Sequence, residues 1–243
     1  MAIPVSSPLF DLCAIRQCQQ RAMPGIHRHR LLYDLALETL TERFSEIKTS
    51  FSKRIILNDV FHLATTLGTP ITDEEALTLP RNSIDSIVSF MALHHTNDIL
   101  GYLQHCYRLL RPGGLFLAIF LGEESLIELR HTLAEAEHHV CGGYNPRVAP
   151  MLDIKTAGSL LQKAGFAMPM ADRQRITFHY DDFFSLCRDM RGMSLSNSLT
   201  LRQKYFSRRA VFTAAATLYK VRHATSTGHL PLTFEYITLT GWH

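Results

Sequence analysis

No apolar run in this chain reaches the roughly 18–20 residues that a membrane-spanning helix needs. Residues 1–22 lack a basic segment followed by an apolar one, so a secretory signal is not expected. Neither sign of charge prevails: 25 Lys and Arg stand against 22 Asp and Glu, a net charge of +3. The basic residues are scattered, which leaves no electrostatic footprint for nucleic acid. None of the five cysteines forms a CxxC pair, and Cys13 and Cys18 have no second Cys/His pair nearby. Free thiols in a reducing compartment are therefore expected, and with them a cytoplasmic location. HExxH spacing is missing too, so no metal site is expected. There is no internal repeat, low-complexity tract or Gly/Ser linker.

What remains is the composition of a globular chain. With 46% hydrophobic and 19% charged residues, 243 residues suffice for an α/β domain with a sizeable core. Leu32, Ala36, Leu40, Phe44 and Ile47 recur at spacings of three and four and predict an amphipathic helix over 30–48. A shorter polar helix is expected over 9–23, broken by Pro24-Gly25. Arg54–Leu57 reads as a buried strand, and Asp59–Leu67 is helix-compatible with Gly68 as its stop. Ser83–Phe90 predicts a strand, and 97–110 a helix capped by Asn97. Arg111-Pro112-Gly113-Gly114 then turns the chain into Leu115–Phe120, an almost wholly apolar run. Such a run suits a strand buried on both faces of a parallel sheet. Further helices are expected over 123–139, 155–164, 181–191 and 204–223, with strands at Arg175–Tyr180 and Thr233–Thr240. This alternation predicts a mainly parallel sheet with helices on both faces.

Two motifs narrow the reading. D-x-x-x-S-x-x-A-L-H-H-x-x-D runs from Asp85 to Asp98, and L-L-R-P-G-G-L-F follows it. With DEEAL at 73–77, ESLIELR at 124–130, GGYNPRVAP at 142–150, RDMRGMSLSN at 188–197 and the closing YITLTGWH, the chain resembles the class I S-adenosylmethionine methyltransferases. The resemblance is closest to the branch holding the biotin-pathway carrier-protein methyltransferase and the mitochondrial complex I assembly factor 5, a protein-arginine hydroxylase. It covers residues 70–243 and, weakly, 9–48. It implies a Rossmann-like methyltransferase fold in one domain over 1–243. That domain would comprise a helical extension to residue 50, a truncated Rossmann half over 51–122 and a C-terminal half with helical insertions. It implies S-adenosylmethionine as cofactor and a protein substrate or client, such as a respiratory complex I subunit. Among cofactor-binding positions it implies Asp73, at the place that contacts the adenine amine, with Glu74, Phe90 and Ala92. Thr72-x-x-Glu75 is equally an ordinary capping box.

The expected cofactor loop is missing. Methyltransferases of this fold follow their first strand with a glycine-rich turn, which lets the backbone approach the cofactor. Here no residue from 54 to 67 is a glycine. Only residues 60–72 separate Asp59 from Asp73, where two helices and two strands would take roughly 40 residues. One βα unit is therefore expected to be gone, leaving five or six strands. Asn58 and Asp59 stand where the loop should start, and read either as its partial replacement or as a helix N-cap.

His94 and His95 follow a strand end, where open α/β sheets bind ligands, and are candidate bases as well as candidate loop histidines. Glu128 shares a predicted helix face with Glu124 and is a candidate acid or a solvated residue. Two functions follow: a methyl- or hydroxyl-transferring enzyme with an altered cofactor site, and a non-catalytic assembly protein that holds a client.

Overall fold

A computed structural model describes residues 8–205 and 207–243 and their side chains, those of Asp73 and Glu74 excepted. The apolar runs become strands of one sheet: β1 (Arg54–Leu57), β2 (Thr69–Ile71), β3 (Ile84–Phe90), β4 (Leu110–Leu121), β5 (Ala167–Tyr180) and β6 (Leu230–Trp242). Their order is β2-β1-β3-β4-β6-β5. The first four are parallel, and β6 runs antiparallel to β4. Every residue of β3 is buried, as is the whole apolar run of β4 from Leu115. Strands covered on both faces explain those unbroken apolar runs. Six strands agree with the shortened, mainly parallel sheet expected from the sequence.

Helices cover both faces. Adjacent strand residues point to opposite sides, and β3 shows this at its end. The Ser89 hydroxyl bonds Tyr102 of α4 (Ile99–Leu109), 2.9 Å away, while the Phe90 ring packs 6.2 Å from Tyr33 of α2 (Leu31–Glu46). Leu103, Cys106 and Leu109 join Ile87, Phe116 and Phe120 in one core with Ala157 and Leu161 of a further helix, Ile154–Lys163. Burying each such leucine or phenylalanine side chain contributes about 1.5–3 kcal/mol. On α2 the predicted stripe is buried at Leu32, Ala36 and Leu40.

The described chain divides into two compact units. One holds residues up to His29, Leu126–Pro150 and Ile176–Phe234; the other holds Arg30–Ser125, Met151–Arg175 and Glu235–His243. The first unit contains helices Leu12–Ala22, Ile127–Cys141, Phe183–Gly192 and Arg209–His223. Leu133, Ala136, Val211, Ala215 and Tyr219 are buried there.

Several expectations are corrected. Residues 59–67 form a loop, not a helix. Asn58 and His62 take left-handed backbone angles, φ 64° and 53°. The Asp59 carboxylate accepts from the N–H groups of Leu63 (2.8 Å) and Ala64 (2.9 Å). Such local side-chain bonds compete with a helical ladder. Asp98, not Asn97, caps α4 by accepting from Gly101 N at 2.8 Å. The helix expected from 123 starts at Ile127, behind Leu126 in the left-handed region, so Glu124 and Glu128 do not share a helix face. The helix expected from 204 starts at Arg209.

Candidate functional site

In open α/β sheets ligands sit beyond the carboxyl ends of the strands, where the strand order reverses. Here β1 connects outward to β2, and the chain then returns to the other side of β1 as β3, so the reversal lies between β1 and β3. Asn58, the first residue after β1, spans this crevice. Its amide nitrogen donates to the carbonyls of Phe90 (3.2 Å) and Met91 (3.0 Å). Asparagine is among the few residues that adopt the left-handed backbone at modest cost. Met91 is left-handed as well, φ 53°. Non-glycine residues in that region cluster where a structure needs an unusual backbone path. Tyr33 and Phe61 meet edge-to-face at 5.5 Å, with Phe90 beyond Tyr33. Burial pushes the Tyr33 phenol up.

The loop after β1 is closed on itself. Asp59 is buried at 5% exposure and spends both oxygens on Leu63 and Ala64. Those two N–H groups are therefore not offered to a ligand. The Thr72–Glu75 capping box forms: Thr72 Oγ accepts from Glu75 N (3.1 Å), and Glu75 accepts from Thr72 N (2.7 Å). It opens the short helix Asp73–Thr78, whose first two side chains, Asp73 and Glu74, lie outside the described residues.

His94 and His95 lie in a 3-10 turn, Leu93–His95, after Ala92. Their rings stand 3.6 Å apart, centroid to centroid. His94 is 5% exposed, and neither of its ring nitrogens has a partner among the described residues. Burial, then the neighbouring His95, holds it well below 6.5. Burial pushes His95 down to about 4, against a hydrogen bond with the Ala92 backbone. Both rings are thus neutral at pH 7. Phe90 and Ala92 are buried. Glu128 belongs to the other unit, where its oxygens accept from the N–H (3.1 Å) and hydroxyl (2.5 Å) of Thr233.

One carboxylate that sequence reasoning missed is Glu235 of β6. It is 2% exposed and follows the carboxyl end of β4, with its carbonyl accepting from Gly122 N at 2.8 Å. Arg173 lies 3.7 Å from it, and Arg173 and Arg175 also pair with Glu124. A Cβ at Gly122 would collide with the Glu235 carboxylate and Ile237, so glycine there makes room for the buried acid. The available signal was a lone charged residue inside an otherwise buried strand. At the amino end of the sheet Asp85 does structural work. It accepts from Ser52 N (2.9 Å), Ser52 Oγ (2.7 Å) and Lys53 N (2.9 Å), and pairs with Arg111 at 3.0 Å.

Known proteins share the fold. The family profile described as "Methyltransferase domain" matches residues 55–118. The chain is 38% identical over 161 residues to arginine-hydroxylase NDUFAF5, mitochondrial, of Dictyostelium discoideum, covering 66% of this chain and 37% of that protein. It is 32% identical over 171 residues to the malonyl-[acyl-carrier protein] O-methyltransferase of Xylella fastidiosa, covering 70% and 55%. A provisionally assigned methyltransferase of Bacillus halodurans superimposes with a TM-score of 0.54 at 12% identity, over 85% of this chain and 97% of that one. The chain thus has the class I S-adenosylmethionine-methyltransferase fold. It is related to the branch of NDUFAF5 and the biotin-pathway methyltransferases, and the matches span about half or less of those relatives' length. The expected cytoplasmic location is corrected, because the arginine-hydroxylase relatives are named as mitochondrial. Among the described residues no helix is long and apolar enough to cross a membrane.

Proposed function

We propose that this chain is a methyltransferase-fold protein with a degenerate cofactor end, a pseudoenzyme toward S-adenosylmethionine that works by holding a protein client. The closed loop 58–64 carries this reading. Asn58 is tied to the end of β3, and Asp59 occupies the N–H groups of Leu63 and Ala64. No glycine from 54 to 67 lets a cofactor approach the backbone. The residues at this end therefore do not fit S-adenosylmethionine held in the ordinary way. The relatives named arginine hydroxylase supply the chemistry of the client, a protein segment presenting arginine, and a respiratory complex I subunit is the client implied by the resemblance.

Calorimetric titration with S-adenosylmethionine and S-adenosylhomocysteine, checked by thermal shift, tests the proposal. No heat and no shift are expected at millimolar ligand. A ligand at about 100 times its dissociation constant would stabilise the fold by about 2.7 kcal/mol. Micromolar binding would overturn the proposal and point to Asn58, Asp59 and Asp73.

A second reading, a group-transferring enzyme with an altered site, is favoured by His94. Its buried, neutral imidazole has no partner among the described residues, so a ring nitrogen keeps its lone pair for a proton. That reading requires the same titration to succeed.

A further inference from the structure

An open cavity lies far in sequence from the loop after β1, and its lining belongs wholly to the unit containing His29 and Tyr180. Its volume is about 540 Å³. The walls come from the end of helix Leu12–Ala22, the 3-10 turn Met23–Arg28, the end of β5 and helix Phe183–Gly192. Four arginines line it: Arg21, Arg28, Arg188 and Arg191. Their hydrogen bonds go to neutral groups. Arg21 bonds the Gln17 carbonyl and Cys18, Arg28 bonds His27, and Arg188 bonds the Ser185 hydroxyl. None of the four has a carboxylate within ion-pair distance among the described residues.

Among the described residues the one carboxylate lining the cavity is already engaged. Asp189 accepts from the Tyr180 hydroxyl at 2.5 Å and holds His29 Nδ1 at 2.6 Å. Asp182 nearby caps its own helix through Phe184 N and Ser185 N, accepts from the Ser185 hydroxyl and attracts Arg188 from beyond ion-pair distance. An aspartate on Nδ1 fixes the ring orientation and leaves Nε2 as the free nitrogen. The seat of that ring is built: a Cβ on Gly192 would collide with it, so only glycine admits His29.

We infer that this cavity binds a phosphate-bearing small molecule through its phosphate group. Guanidinium forks match the oxygens of a phosphate with paired hydrogen bonds, and a dianion answers several guanidinium charges where one carboxylate does not. The volume falls within the range of small-molecule pockets. The inference uses no residue of the loop after β1, so it stands or falls separately from the reading of the cofactor end.

The test titrates the full chain with inorganic phosphate, pyrophosphate and succinate at physiological chloride, by calorimetry and by amide chemical shifts. Phosphate is expected to bind with shifts confined to residues 21–29 and 180–192, pyrophosphate more tightly, and succinate weakly. The exposed pair R188Q/R191Q is expected to weaken pyrophosphate binding by at least about tenfold with an unchanged melting temperature. G192A, which displaces His29, is expected to weaken it as well. Sedimentation with vesicles containing phosphatidic acid separates the sources: co-sedimentation lost in R188Q/R191Q assigns a lipid headgroup, and pyrophosphate binding without co-sedimentation assigns a free phosphate ester. No phosphate or pyrophosphate binding at millimolar concentration, equal binding of succinate, or undiminished binding in R188Q/R191Q would overturn the inference.

Discussion

Replacing His94 with leucine probes the carboxyl edge of the sheet through stability. The imidazole is buried with both nitrogens unpartnered among the described residues. An unpartnered buried polar group carries an unrecovered desolvation cost of about 1–3 kcal/mol. Leucine brings no polar atoms to the same space. At pH 7 the variant is therefore expected to equal its parent or exceed it by about 1 kcal/mol.

The gap then widens in acid. His94 titrates well below 6.5 in the fold because burial, and next His95, oppose its charge. The unfolded chain, with an ordinary histidine, takes up the proton first. The parent's stability is thus undiminished by this site above about 6.5 and falls as pH drops below that value. Linkage makes this loss small at about pH 7 and larger at about pH 5. Leucine abolishes this loss. Urea unfolding of parent and variant at both pH values measures the effect as a difference, in which shared carboxylate contributions cancel. A variant destabilised by more than about 2 kcal/mol at neutral pH would refute the reasoning. So would a difference that does not change with pH, since the ring would then have partners or carry charge inside the fold.

Asp85→Asn is expected to cost about 2–3 kcal/mol at neutral pH in chemical denaturation, because a buried acceptor of three donors loses its charge beside Arg111. Burial, the largest single influence on Asp85, works upward. The Lys53 and Ser52 donors with Arg111 together outweigh it and hold the carboxyl below 3.8. The contribution of this site is therefore present above about 3.8 and is lost as pH falls below it; an advantage of the parent that persists unchanged in stronger acid would contradict this. Gly122→Ala is expected to lower the melting temperature, at a cost of about 1–3 kcal/mol, by forcing the buried Glu235 carboxylate and Ile237 aside. A melting temperature equal to the parent's would mean that Glu235 swings free.

Much of this architecture was legible one segment at a time. The run Leu115–Phe120 has no polar position to expose, so it had to become a strand covered on both faces. The stripe Leu32, Ala36, Leu40 repeats every four residues, which only a helix turns to one side. The brevity of 60–72 bounded the sheet, because chain length limits how many elements can form whatever the packing. The loop itself was misread. Asp59–Leu67 has helix-compatible residues, but the sign of φ at Asn58 and His62 and the two donors taken by Asp59 are set by where the chain must go after β1.

By itself, then, the sequence determined five of the six strands, most helices, the loss of a βα unit and the family resemblance, all properties of local periodicity, spacing and length. The tertiary structure alone decided which polar atoms distant in the chain meet. Asn58 finds the carbonyls of Phe90 and Met91, His29 finds Asp189, and His94 finds no partner among the described residues. Hydrogen bonds act over about 3 Å between residues far apart in the chain, so no local pattern encodes them, and the chemistry of both candidate sites rests on those pairings.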